Sequence, residues 1–213
     1  MGDLAPPPRT RDAERSRAAI LDAGERLFAE RGYEAASLQE IGRLAGVSRG
    51  TPGYFFQSKE LLYQAVLERI LAEELAFMLA AQERAVGAGG SPAEALTAVV
   101  VGLLDFLAAR PSFVRLLERE ALAGGRRLRD TAAHATALRE GLALVTALLG
   151  PEDETGVDAA TFLLSVVALC WFPFAHADTY ARGLGFDPAS PAARERWGRH
   201  VVALVLVGQA AYN

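Results

Sequence analysis

An all-α fold of about nine helices is what this sequence predicts, with an N-terminal helix-turn-helix followed by a larger helical domain. Three observations point there. Apolar residues recur at helical spacing in segment after segment. Alternating β-branched runs of the kind strands need are nearly absent. Proline and glycine fall between the periodic segments and seldom inside them.

The elements follow in order. Residues 1–11 read as an N-terminal arm, because consecutive prolines at 6–8 cannot enter a helix interior. A first helix is expected over 12–32, with Ile20, Gly24, Leu27 and Phe28 on one face and Gly32 stopping it. A second starts at Ser37, with Glu40 at the capping-box spacing, and runs to Gly46. A short third helix spans about 48–55, and a long fourth runs from 58 to about 84. Gly87–Gly90 is a linker. Ser91, Pro92 and Glu94 then open a fifth helix with an N-cap, a first-position proline and a capping-box acid. Its stripe is Leu96, Val99, Val100, Leu103 and Leu107, and Pro111 breaks it. Further helices are expected over 112–122, 127–149, 153–182 (kinked at Pro173) and from Pro191 to about Ala211. Glu152, Asp153 and Glu154 suit the positive end of the 153–182 helix. The domain division expected is 12–60 for the helix-turn-helix and 61–213 for the rest.

The 213 residues carry 22 Lys and Arg against 26 Asp and Glu, a net charge of −4. A uniformly basic nucleic-acid coat is therefore excluded, but a local basic patch is not. With 51% hydrophobic residues, the chain is far from a disordered composition. One cysteine, Cys170, rules out an internal disulfide framework and a Cys-based zinc cluster. No export-type apolar run follows a basic start in residues 1–19, so the cytoplasm is the expected compartment. Residues 159–177 carry no formal charge and nearly match a bilayer core in length. Pro173, Thr161, Ser165 and His176 favour a buried helix instead, and no membrane is expected as a partner. No phosphate loop, G-x-S-x-G or H-E-x-x-H occurs, so neither an enzyme nor a cofactor is expected. His134 and His176 have no metal-ligand spacing, and no metal is expected.

Function concentrates in residues 37–56, SLQEIGRLAGVSRGTPGYFF. Two short helices joined by a turn holding Gly46 make the helix-turn-helix layout. Gly46 supplies the left-handed backbone, Ala45 allows close helix approach, and Val47 plugs the corner. The second helix is thereby presented outward, able to enter a major groove about 12 Å wide. Residues 41–59 contain Arg43, Arg49 and Lys59 and no acid. Lys59 is the only lysine in the chain and stands at a helix N-terminus. Arg49 is placed to reach guanine O6 and N7 with its fork, or a phosphate, or solvent. Double-stranded DNA is the partner this pattern implies, with strongly salt-dependent affinity. A two-fold operator needs two recognition helices about 34–36 Å apart, so a homodimer is expected.

Residues 16–65 resemble the DNA-binding domain of the tetracycline-repressor (TetR) family of bacterial transcriptional regulators. The resemblance is carried by Ile20-Leu21-Asp22-Ala23, Phe28, Gly32-Tyr33, Ser37, Ile41, Ala45-Gly46-Val47-Ser48, Gly50, Phe56 and Ser58-Lys59-Glu60. It implies phosphate contacts from Ser37, Thr51 and Lys59, within a DNA-contacting set that also takes in Ser48, Arg49, Gly50, Gly53 and Tyr54. One departure stands out. The family commonly places a tyrosine, often a phosphate contact, where this chain has Gly53. Tyr54 is the candidate to take over. Gly53 either lets the backbone approach DNA or relieves crowding. Arg9, Arg11 and Arg15 form either a DNA-binding arm or part of a disordered tail.

The resemblance also implies that the last two helices of each subunit form a four-helix bundle in a dimer. The run Val201, Val202, Leu204, Val205, Leu206 and Val207 is apolar around much of its helix. An effector cavity is implied on the helices that carry Phe106, Phe113, Leu117, His134, Trp171 and Phe174, for a small apolar or amphipathic molecule. The function expected is a homodimeric repressor released from its operator by that effector. An effector-independent or activating regulator is the alternative, with a helical carrier or enzyme the remaining one.

Overall fold

The computed structural model describes residues 8–149 and 158–210. They form helices α1 (Pro8–Ala35), α2 (Leu38–Leu44), α3 (Thr51–Phe56), α4 (Lys59–Gly87), α5 (Pro92–Ala109), α6 (Pro111–Leu122), α7 (Arg126–Arg129), α8 (Ala132–Leu149), α9 (Ala159–Ala175) and α10 (Pro191–Ala210). No strand occurs among the described residues. Two compact units result. One holds the chain up to Arg69 together with Arg115–Thr131, and the other holds Ile70–Val114 together with the chain from Ala132 onward. Helices α4 and α6 each pass from one unit to the other.

In the first unit, α1 presents the expected stripe. Ile20 and Phe28 are fully buried and Leu27 nearly so, as are Ile41 of α2, Phe56 of α3 and Leu62, Tyr63, Val66 and Leu67 of α4, and the Phe28 and Tyr63 rings meet edge-on at 4.8 Å. Gly24 is needed there, since a Cβ would lie 3.3 Å from Val66. Helix α1 begins at Pro8, earlier than the expected 12, because a proline in a first turn has no N–H to miss. Of the expected arm, residues 1–7 lie outside the described residues. Gly32 breaks the helix (φ 81°, ψ 169°) where the sequence predicts a stop, and a further turn follows to Ala35. Residues 115–131, expected in the larger domain, pack with this unit instead.

In the second unit, α5 is the most buried helix, with its five predicted stripe residues in the core. Ser91 and Glu94 form the full capping box. Helix α10 lies on α5. At Gly198 a Cβ would fall 2.8 Å from Val101, so only glycine permits this approach. Arg194 fixes the crossing by donating to Asp105 at 2.7 Å. Helix α9 buries Phe162, Val166 and Cys170 at four-residue spacing.

Helix α9 is shorter than the predicted 153–182. Asp158 caps it, accepting from the backbone of Ala160 and Thr161, and Glu152–Glu154 lie outside the described residues. The bend comes at His176, not at Pro173, and turns the following segment by 73°. Pro173 has no N–H for the Leu169 carbonyl one turn back. The Trp197 indole takes that carbonyl at 3.0 Å, which repairs the loss and ties α10 to α9. By length and composition α5 alone among the single described helices could cross a membrane, and half of it is buried within the protein.

Two titrations follow from burial. Desolvation lifts the Glu74 carboxyl from 4.5 to about 7, although its surface keeps some exposure. Both chain states hold the proton below about pH 4.5. Between there and 7 the unfolded chain ionises freely while the folded one resists, so stability falls as pH rises through this window. The loss is at most roughly 3 kcal/mol. Glu74→Gln should abolish that fall and raise the melting temperature at pH 8, read by circular dichroism across pH 4–8. Burial also pushes the Cys170 thiol up to about 12. The native protein should therefore resist iodoacetamide at pH 8 and become labelled only on unfolding, as mass spectrometry would report.

Candidate nucleic-acid interface

Ser37 opens α2 as its N-cap, its hydroxyl accepting from the Glu40 N–H at 3.2 Å and donating to the Glu40 carboxylate at 2.9 Å. That hydroxyl and Arg31, 2.8 Å from the same carboxylate, hold the Glu40 carboxyl below its usual range. Helix α2 ends in a Schellman motif. Gly46 has φ 70°, its N–H donates to Arg43 and the Val47 N–H donates to Gly42 at 3.0 Å.

The close approach of α2 and α3 rests on a pair the sequence did not single out. A Cβ at Gly42 would stand 3.1 Å from the Pro52 ring, and Pro52 is buried against it. Pro52 therefore fills the corner between the helices and sets α3 at its first turn, where proline is tolerated. Phe56 locks the other end of α3 into the core, with the Arg17 guanidinium over its ring at 5.2 Å.

Between these two anchors α3 faces outward. Ser48, Arg49 and Gly50 are exposed, and Tyr54 is 83% exposed. Thr51 and Gly53 are half-buried, and nothing occupies the space where a Gly53 side chain would start. The hydroxyls of Ser48 and Thr51 share a hydrogen bond of 2.7 Å. This surface is acid-free from 41 to 59 and carries Arg43 and Arg49, both exposed. Arg11 and Arg15 are exposed on α1, and Arg15 pairs with Asp12.

Lys59 is placed differently. Its ammonium donates to three backbone carbonyls, Tyr33 at 2.9 Å, Ala36 at 3.1 Å and Glu34 at 3.2 Å. It also lies 4.4 Å from the Tyr33 ring centroid. The cation thus caps the end of α1 and is half-buried. Arg127 covers Tyr33 too, at 3.9 Å. Arg119 donates to the carbonyls of Ala29 and Glu30 at 3.0 and 2.8 Å. The buried Tyr63 hydroxyl donates to Glu120 at 2.7 Å, and the Leu128 N–H donates to the other oxygen at 3.3 Å. Burial and the adjacent carboxylate both push the Tyr63 hydroxyl well above its ordinary range. None of these three α6–α7 residues carried a sequence signal.

The residues expected around an effector divide between the units. In the second unit, Phe106 and Phe113 are buried with ring centroids 5.2 Å apart, and Phe113 meets Trp171 edge-on at 5.8 Å. Phe77 extends the row at 5.9 Å from Phe106. Phe174 and His134 are half-buried in the same unit. Leu117 belongs to the first unit. His176 stacks with Phe172 at 4.5 Å.

Residues 20–66 match the family described as "Bacterial regulatory proteins, tetR family", and residues 92–205 match "Tetracyclin repressor-like, C-terminal domain". The chain belongs to the TetR family. Its helix-turn-helix is thus the family's DNA-binding element. Among curated relatives, the transcriptional repressor NicS of Pseudomonas putida is 28% identical over 209 residues, covering 94% of this chain and 95% of that protein. The regulator RutR of Escherichia coli is 35% identical over 122 residues, 57% of this chain and 55% of its own length. A TetR-family regulatory protein from Rhodococcus shares the fold with a TM-score of 0.68 at 20% identity, covering 89% of this chain and 96% of its own. FadR of Bacillus subtilis, solved with stearoyl-CoA, shares it at 0.63 and 17%, covering 90% and 98%.

The Lys59 cap has a measurable consequence for this TetR-family protein. Lys59→Met keeps the stem but leaves three carbonyls without their cation, so it should cost about 1.5–3 kcal/mol of stability. Thermal unfolding without DNA is the check, since a residue serving phosphates alone would leave it unchanged.

Proposed function

We propose that this regulator is a repressor that grips a palindromic operator as a homodimer and releases it when a small apolar or amphipathic molecule occupies the larger unit. The observation that carries the reading is α3. It is anchored at Pro52 and Phe56 and turns Tyr54 to solvent, with Arg49 exposed in the turn just before it, inside an acid-free surface. Phosphate contacts come from Ser37, Ser48, Thr51 and the backbone at Gly50 and Gly53, with Tyr54 taking the place of the tyrosine that Gly53 lacks. Arg49 reads guanine. Lys59 holds the end of α1 and adds positive potential near the DNA backbone.

Dimerisation is supported by apolar side chains left exposed on α9 and α10. Leu164 is 70% exposed, and Val167, Phe172 and Leu204 are exposed as well. Of the apolar run on α10, Val201 and Val202 serve the chain's own core. Effector binding is supported by the apolar aromatic row from Phe77 to Trp171 in the second unit, since ligand sites are mostly apolar. FadR, a structural relative, was solved with an acyl-CoA. A DNA-binding regulator with a buried free thiol belongs in the cytoplasm.

A mobility-shift assay on DNA flanking the protein's own gene tests the reading. Micromolar protein should shift it at about 100 mM salt, and no shift would sink the operator assignment. Arg49→Ala should cost about 1–3 kcal/mol on the operator and relax one base pair per half-site, with little change on random DNA. Sedimentation equilibrium should give twice the chain mass, and Leu164→Asp combined with Phe172→Asp should reduce it to one.

A further inference from the structure

Among the described residues, Gln57 is the one non-glycine residue with positive φ, at φ 63° and ψ −46°. Six other positions take positive φ, and every one of them is glycine. The Ser58 N–H donates to the Phe56 carbonyl at 2.7 Å, closing a three-residue ring around Gln57. This is the γ-turn of the rare hand, strained for any residue with a Cβ. Glycine would take the same turn without that strain.

The Gln57 N–H closes α3 on the Gly53 carbonyl at 2.8 Å, and the turn hands the chain to Ser58, whose hydroxyl accepts from the Leu61 N–H at the start of α4, but none of these bonds uses the Gln57 side chain. Gln57 is exposed, and its amide takes no partner among the described residues. Its position accounts for the side chain. It is the C-cap of α3, three residues after the exposed Tyr54, and it stands within the acid-free stretch. A strained residue kept at such a place suggests that its side chain has work outside the fold. The amide is a neutral donor, and glutamine is a regular partner of phosphate oxygens.

We propose that Gln57 is an operator-contacting residue, its amide donating to a DNA backbone phosphate from a strained γ-turn that aims it there. This rests on the reading of α3 as the DNA-facing helix. A neutral phosphate contact adds affinity on every sequence, and it releases no counterion.

The test uses the full chain, a duplex that the wild-type protein selects from a random library, and a scrambled duplex of equal length. Gln57→Gly should melt roughly 2–4 °C higher as the strain is relieved. It should also bind both duplexes about tenfold more weakly, with an unchanged dependence on salt. Gln57→Lys should bind more tightly at low salt and steepen that dependence by about one per head. A Gln57→Gly variant that melts higher but binds equally well would make the turn purely structural and overturn the inference. So would one that melts no higher, since the turn would then hold no strain. Loss on the selected duplex alone would overturn the phosphate assignment, because a base would be read. A wild-type chain that selects no duplex takes down the DNA-facing reading and this inference with it, whatever the melting temperatures do.

Discussion

Everything in the DNA-binding unit depends on how the end of α1 is held. Helix carbonyls in a last turn have no partners within the helix and need donors from elsewhere. Here two cations supply them. Arg119 takes the carbonyls of Ala29 and Glu30, and Lys59 takes those of Tyr33, Glu34 and Ala36. Both cations also suit the negative end of the helix dipole. The very next residue is Ser37, the cap of α2, so the start of the helix-turn-helix is fixed relative to α1 by these bonds. Tyr33 sits against Lys59 and Arg127 together, and its ring joins Tyr63 and Phe28 in an aromatic cluster.

This arrangement explains why residues 115–131 fold with the N-terminal helices. Arg119, Glu120 and Arg127 lie on a segment far along the chain, yet each one serves α1 or α4. Glu120 is buried, and a buried carboxylate is tolerable only with its oxygens engaged. Tyr63 and the Leu128 N–H engage them. The DNA-binding unit is therefore completed by a return of the chain, which crosses between the units within α4, within α6 and again just before α8.

Much of this was legible in the sequence, for reasons of period. The α1 and α5 stripes repeat at helical spacing, so burial followed from position alone. Ser91, Pro92 and Glu94 are local chemistry, and local chemistry reads directly. The outward presentation of α3 was legible too, because a turn holding Gly46 between two short helices is local and sets the helix-turn-helix layout. What stayed hidden depends on residues meeting across the chain. Lys59 reads as a phosphate contact until its carbonyl partners 23 to 26 residues away are seen. Arg119 is 90 residues from Ala29, and no spacing rule reaches that far. The contact between Gly42 and Pro52 needed the angle between two helices. Pro173 was expected to kink its helix at once, but the indole of Trp197 took up the freed carbonyl and the bend moved to His176.

The recognition helix itself is only six residues, about 9 Å long. A helix that short has no stability of its own. Its conformation is imposed from both ends, by Pro52 in the corner and Phe56 in the core. Gly53, which would be costly in a helix left to itself, is tolerated because those anchors already fix the backbone around it. The same brevity limits what the helix can offer. With no side chain at 53, few groups can touch base edges, and the rest of the surface can only set position. Contacts to the DNA backbone fix register while base contacts choose sequence. In the proposed mode of binding, discrimination depends on holding Arg49 and Tyr54 in the correct place. On that proposal the α1 cap and the glycine–proline corner, which hold α3 in place, are as much a part of specificity as the exposed side chains themselves.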